Sequence, residues 1–173
     1  MSRYILNPDM ALRSWRLVPY AYYRKGVRYA KGLKKEEFEF LLKCDGKTEL
    51  EGELPLAEKF LDMGFIAPAK DESNLSEWQK YLDCDNRYFP AISWMITGKC
   101  NYSCLHCFNA ADNAPIMSEW TLEEANRLIE LAQKCGINAF TITGGEPMLH
   151  KNFFEVVESI YAHGMHLQDL NTN

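Results

Sequence analysis

From about residue 88 onward, apolar residues follow a rhythm that few folds accommodate. The stretch 91–97 is apolar and rich in β-formers, and so are 139–143 and 165–172. Between the first two, Leu122, Ala125, Leu128, Ile129 and Ala132 fall on one helical face. Thr121 with Glu124 three residues later forms a capping box at the start of that helix, and Gly136 ends it. A second helix follows, with Phe153, Val156, Val157, Ile160 and Tyr161 on its apolar face, Asn152 and Glu155 as cap residues and Gly164 as its stop. Strands alternating with helices of this size predict parallel βα units. In such units the strand-to-helix loops emerge at the C-terminal edge of the sheet, where α/β enzymes place their chemistry.

Both of those loops carry unusual residues. The first contains Cys100-Asn101-Tyr102-Ser103-Cys104-Leu105-His106-Cys107. Three soft thiolates this close suit zinc or an iron–sulfur cluster. Structural zinc takes four ligands, and His106, adjacent to Cys107, would point away from a shared centre. A cubane held by three cysteines leaves one iron without a protein ligand, which is the mark of a catalytic site. Zinc, an iron–sulfur cluster and three unliganded thiols all remain open on local chemistry alone. The second loop is Gly144-Gly145-Glu146-Pro147, whose glycine pair by itself reads as an ordinary turn. The other three cysteines are scattered. Cys44 and Cys135 lie in apolar helical patterns and read as core thiols, so a reducing compartment is expected.

Taken together, the two loops resemble the radical S-adenosylmethionine (SAM) superfamily. Cys-x3-Cys-x2-Cys after a first strand is that family's signature, matched by Cys100, Cys104 and Cys107. Gly144-Gly145-Glu146-Pro147 is similar to its second SAM-binding motif, and Asn171-Thr172-Asn173 stands where many members have Thr-Asn-Gly. The resemblance implies a [4Fe-4S] cluster held by the three cysteines, with SAM chelating the fourth iron. It implies that Gly144, Gly145 and Glu146 line the pocket for the methionine end of SAM, and that His106 lies near the adenine. The activity implied is reductive cleavage of SAM to a 5′-deoxyadenosyl radical, with an electron donor such as a flavodoxin or ferredoxin. The implied fold is α/β, an incomplete TIM-like barrel of βα units. The family has six such units and only three strands are expected here, so the chain reads as the N-terminal piece of a longer protein.

Residues 1–68 read as a separate small α+β domain. Strands are expected at 12–18, 20–24 and 27–30, with Pro19 interrupting the first pair. A helix is expected at 34–43, stopped by Asp45-Gly46, and another carries Leu54, Ala57, Phe60 and Leu61 up to Gly64. A strand at 65–67 stops at Pro68. This order resembles a winged helix. Peptide-modifying, SPASM-type radical SAM enzymes often carry such a domain, similar to the peptide-delivering protein of pyrroloquinoline quinone biosynthesis. That likeness implies a leader peptide of a ribosomally made substrate as partner. Tyr20, Tyr22, Tyr23 and Tyr29, with Arg13, Arg16, Arg24, Lys25 and Arg28, are the candidate contacts or, equally, packing residues. The polar stretch 69–87 reads as a linker with one docked helix, and 88–173 as the start of the SAM-binding barrel.

Charge is unevenly spread. Nine Lys/Arg against Asp9 give +8 over residues 1–35, while the remainder carries −13. A globally acidic chain with Glu49, Glu51, Glu53, Glu58 and Asp62 on the helical segments is a poor ligand for nucleic acid. No apolar run approaches the roughly 18 residues that span a bilayer, and Met1-Ser2-Arg3-Tyr4 opens no secretory signal. No nucleic-acid or membrane partner is expected, and the location expected is cytoplasmic. Two other readings stay open: a zinc-stabilised winged-helix binding or regulatory module, and an inactive fragment.

Overall fold

A computed structural model describes residues 2–52, 54–109 and 119–173, in two units, Met1–Tyr88 and Phe89–Asn173. In the second unit β8 (Ala91–Met95), β9 (Ala139–Thr143) and β10 (His166–Leu170) form a parallel sheet with β9 in the middle. They are joined through α3 (Leu122–Lys134) and α4 (Phe153–Ala162). The period-2 alternation decides which side is dry. Ile92, Trp94, Phe140 and Ile142 join Ala125, Ile129, Ala132, Phe153, Val156 and Ile160 in one core. Ser93, Thr141 and Asp169 stand in register on the opposite, wetter face, and the Thr141 hydroxyl bonds the Asp169 carboxylate at 3.2 Å. The sheet is open, and among the described residues no barrel closes.

Local rules account for the helix boundaries. Thr121 accepts from the Glu124 N–H at 3.2 Å, and Glu124 Oε2 accepts from the Thr121 N–H at 2.8 Å. Asn152 makes no side-chain cap. Its backbone N–H donates to His150 Nδ1 at 3.2 Å, and the His150 carbonyl takes the Phe153 N–H at 3.0 Å instead. Tyr161, expected on the buried face of α4, is 55% exposed because the stripe narrows to Phe153, Val156 and Ile160.

The first unit is richer in strands than its sequence suggests. β1 (Ser2–Leu6), unanticipated, lies between β5 (Asp45–Leu50) and β6 (Ile66–Pro68), antiparallel to both. A second sheet has the order β4 (Lys31–Gly32), β3 (Val18–Arg24), β2 (Met10–Trp15), β7 (Leu82–Cys84). Helices α1 (Lys35–Leu42) and α2 (Leu54–Asp62) supply Phe38, Phe40, Leu41, Ala57 and Phe60 to the core with Leu6, Met10, Leu12 and Phe65.

Several boundaries differ from expectation for identifiable reasons. Pro19 lies inside β3, beside the bulge in β2 between Arg13 and Trp15 where the ladder is already interrupted. Pro68 is tolerated because β6 is an edge strand. The third strand pairs at Lys31–Gly32 rather than 27–30. The helix ends at Leu42, and Asp45-Gly46 opens β5 instead, with Gly46 at φ 87° where a Cβ would stand 2.8 Å from the Ser73 carbonyl oxygen.

The stretch 69–87 is built into the first unit rather than strung beyond it. Strand β7 pairs parallel with β2. The Gln79 amide donates to the Asn7 and Met10 carbonyls at 2.9 and 3.1 Å. Arg13 is buried and donates to the carbonyls of Leu12, Lys80 and Trp78 at 2.7, 2.9 and 2.6 Å, and burial lowers its pKa to about 10. Part of the N-terminal positive charge is likewise paired within the unit. Arg3 pairs with Asp71 and Arg16 with Asp85, while Arg24 pairs with Asp9 and lies over Phe65. Tyr23 is buried against Trp15, Tyr20 meets Phe38, and Tyr22 meets Phe65. Tyr29 alone of the four tyrosines is well exposed, with Arg28 over its ring.

Candidate active site

The candidate site lies at the C-terminal edge of the parallel sheet, where the loops after β8 and β9 meet. Two main-chain hydrogen bonds zip them together. The Gly145 N–H donates to the Thr97 carbonyl at 2.9 Å, and the Glu146 N–H donates to the Lys99 carbonyl at 2.7 Å. Both acceptors lie within the three residues before Cys100. The Asn109 amide closes the far end of the cysteine loop, donating to the Gly144 carbonyl at 2.5 Å.

The glycine pair is explained by this contact. Neither residue has a left-handed φ, so conformation alone does not demand glycine. Space does. A Cβ on Gly144 would stand 2.6 Å from the Thr97 carbonyl oxygen. One on Gly145 would stand 2.6 Å from the Lys99 carbonyl carbon and 2.9 Å from Cys100 Cβ. The close approach at these glycines is made to the chain's own cysteine loop.

Glu146 is 5% exposed and its carboxylate is fully engaged within the protein. Oε1 accepts from the Met148 N–H at 3.0 Å and the Thr172 hydroxyl at 2.9 Å. Oε2 accepts from the Asn173 N–H at 2.9 Å and the same hydroxyl at 3.0 Å. Burial pushes this carboxyl up, but the N–H groups of Asn173 and Met148 and the Thr172 hydroxyl outweigh it. The net effect holds Glu146 below the ordinary carboxylate range. Its side chain therefore ties the loop after β9 to the segment after β10.

Cys100 and Cys107 are half-buried and Cys104 is exposed; all three are free thiols. Among the described residues no three Cys, His, Asp or Glu side chains stand in a metal-holding array. His106 is exposed and makes no hydrogen bond among the described residues, and Leu105 and Phe108 are fully exposed beside it. The donor set nonetheless suits a cluster. It offers three unpaired sulfurs on a loop of turn and coil, with the Tyr102 N–H already directed at Cys100 Sγ at 3.4 Å.

Several supporting residues were not singled out from the sequence. Lys99 pairs with Glu119 at 3.0 Å, and that contact holds the Glu119 carboxyl below its usual range. His150 is buried with Nε2 2.8 Å from the Trp120 carbonyl. Since Nδ1 accepts from the Asn152 N–H, Nε2 carries the proton. No spacing rule marks these residues. The run 171–173 was visible as a motif, but its attachment to Glu146 was not.

The radical SAM superfamily model matches residues 94–169. The AdoMet-dependent heme synthase of Oleidesulfovibrio alaskensis is 34% identical over 77 residues, which are 44% of this chain and 19% of that protein. The GTP 3′,8-cyclase of Mannheimia succiniciproducens is 30% identical over 97 residues, 54% of this chain and 29% of that protein. Streptococcus suis SuiB, solved bound to its precursor peptide SuiA and also bound to SAM, shares the fold with a TM-score of 0.60 at 14% identity. That likeness covers 98% of this chain and 42% of SuiB. The chain thus spans under a third of these curated relatives and under half of SuiB. Both zipped loops lie inside the stretch of the second unit that matches the radical SAM superfamily, whose members are enzymes that use a [4Fe-4S] cluster and SAM.

Proposed function

We propose that this chain supplies the cluster-binding end of a radical SAM enzyme that modifies a ribosomally made peptide. The observation that carries the reading is the zipped pair of loops, which sets Gly144–Glu146 against the root of the cysteine loop. Cys100, Cys104 and Cys107 would hold the cluster. When bound there, such a cluster would supply the single electron needed for reductive cleavage of SAM, the source of the family's radical chemistry. The chain's own residues do the positioning. The Thr97 and Lys99 carbonyls fix the root of the loop, and Glu146 anchors the Thr172–Asn173 segment beside it. Gly144, Gly145 and Glu146 would line the methionine end of SAM, and His106, at the exposed tip, would lie near the adenine.

The peptide reading is supported by the likeness to SuiB, which extends through the first unit. The succession α1, β5, α2, β6 around a three-stranded sheet supports a winged-helix-like recognition role for that unit. An electron donor such as a flavodoxin or ferredoxin, and a cytoplasmic setting, complete the proposal. No helix among the described residues is long and apolar enough to cross a membrane.

The test is anaerobic reconstitution with iron and sulfide, then electron paramagnetic resonance of the dithionite-reduced protein with and without SAM. A reduced [4Fe-4S] signal that changes on adding SAM, and that Cys104→Ala abolishes, is expected. Tightly bound zinc without acid-labile sulfide would overturn the reading.

A further inference from the structure

The contacts around Cys100 single it out among the three cysteines. Its sulfur receives two N–H donors. One is the Tyr102 backbone at 3.4 Å; the other is the side-chain amide of Asn173, with Nδ2 at 3.8 Å. Among the described residues neither Cys104 nor Cys107 receives a donor at sulfur. The Asn173 amide has two hydrogens, and the second goes to Asn101 Oδ1 at 3.0 Å. Asn173 is therefore bound at both its amide groups. Its main-chain N–H is held by Glu146 Oε2 at 2.9 Å. The segment entering it is pinned by the Asn171 N–H on the Ile142 carbonyl at 2.9 Å and by the Thr172 hydroxyl on Glu146.

A neutral donor directed at a cluster-ligating sulfur has a definite chemical consequence. It withdraws electron density from the thiolate and favours the more negative, reduced cluster, so the reduction potential rises. We propose that Asn173 is a positioning residue of this kind: held by Glu146, it presents its side-chain N–H to the Cys100 sulfur and raises the midpoint potential of the cluster bound there. The proposal rests on the radical SAM reading above. It gives the buried Glu146 carboxylate a second task, transmitting the position of the loop after β9 to a cysteine in the loop after β8.

The experiment is a potentiometric titration, followed by electron paramagnetic resonance, of the full chain reconstituted with iron and sulfide. Asn173→Leu removes the donor at similar size, and Asn173→Asp replaces it with an acceptor. Both are expected to keep wild-type iron and sulfide content and to titrate at more negative midpoints, the Asp variant further than the Leu. Thr172→Val, which loses the hydroxyl contact to Glu146 but keeps the Asn173 amide and its main-chain bond to Glu146, is expected to shift the midpoint less than Asn173→Leu. An unshifted midpoint in a fully loaded Asn173→Leu protein would overturn the proposal. An equal shift in Thr172→Val, or loss of the cluster in both Asn173 variants, would reduce Asn173 to loop placement and overturn it as well. A wild-type chain that takes up no cluster would instead remove the radical SAM reading on which the proposal stands.

Discussion

Replacing Gly145 by Ala adds one methyl group where the loop after β9 lies against the cysteine loop. That methyl would lie 2.6 Å from the Lys99 carbonyl carbon and 2.9 Å from Cys100 Cβ. These are main-chain atoms and the root of a side chain, so no rotamer change can relieve the overlap. The loops must separate, which strains or breaks the bonds from Gly145 N–H to Thr97 and from Glu146 N–H to Lys99. Overpacking costs roughly 1–3 kcal/mol, and a backbone hydrogen bond contributes roughly 0.5–1.5 kcal/mol. The combined loss expected is roughly 2–4 kcal/mol. Amide exchange in β8 and β9 reads it locally, without reference to the first unit. Gly26→Ala is the comparator. There φ is 74° and nothing lies within 4 Å, so only left-handed strain of about 1 kcal/mol is expected, confined to the first unit. If β8 and β9 in Gly145→Ala open within about 0.5 kcal/mol of wild type, the close-approach argument is wrong.

Two further outcomes follow from buried charge. Arg13→Leu leaves carbonyls of Leu12, Trp78 and Lys80 without their donor; it is expected to cost roughly 3 kcal/mol and to speed proteolysis within 69–87, and an unchanged cleavage pattern would contradict the docking. The Glu146 carboxyl is held below its ordinary range, so its contribution is present above the unfolded value of about 4.3 and is lost as pH falls through the lower folded value. Near-ultraviolet circular dichroism should accordingly show an acid transition that Glu146→Gln makes shallower, and an identical transition in both proteins would refute the assignment.

How much was legible can be judged from particular residues. The βα rhythm was readable because amphipathic periods and caps are local: Ala125, Ile129 and Ala132 share a face by helix geometry, and Thr121 with Glu124 needs only three residues of chain. The first unit was harder. β1 is five residues long and gains its stability from partners at 45–50 and 66–68, and β7 from a parallel pairing with β2. Nothing within either segment announces such pairings, because register is settled by distant strands.

The site divides along the same line. Residue order alone marked the two candidate loops, since Cys100, Cys104, Cys107 and Gly144-Gly145-Glu146 are short-range motifs placed after strands. Only the tertiary structure decided what those motifs touch. Gly144 and Gly145 are small because the cysteine loop lies on them. Glu146 is buried because Thr172 and Asn173 close over it, and Cys100 differs from its neighbours because an amide 73 residues away reaches its sulfur. Spacing along the chain encodes which groups are available, whereas distances between groups brought together from separate strands arise only when the sheet assembles.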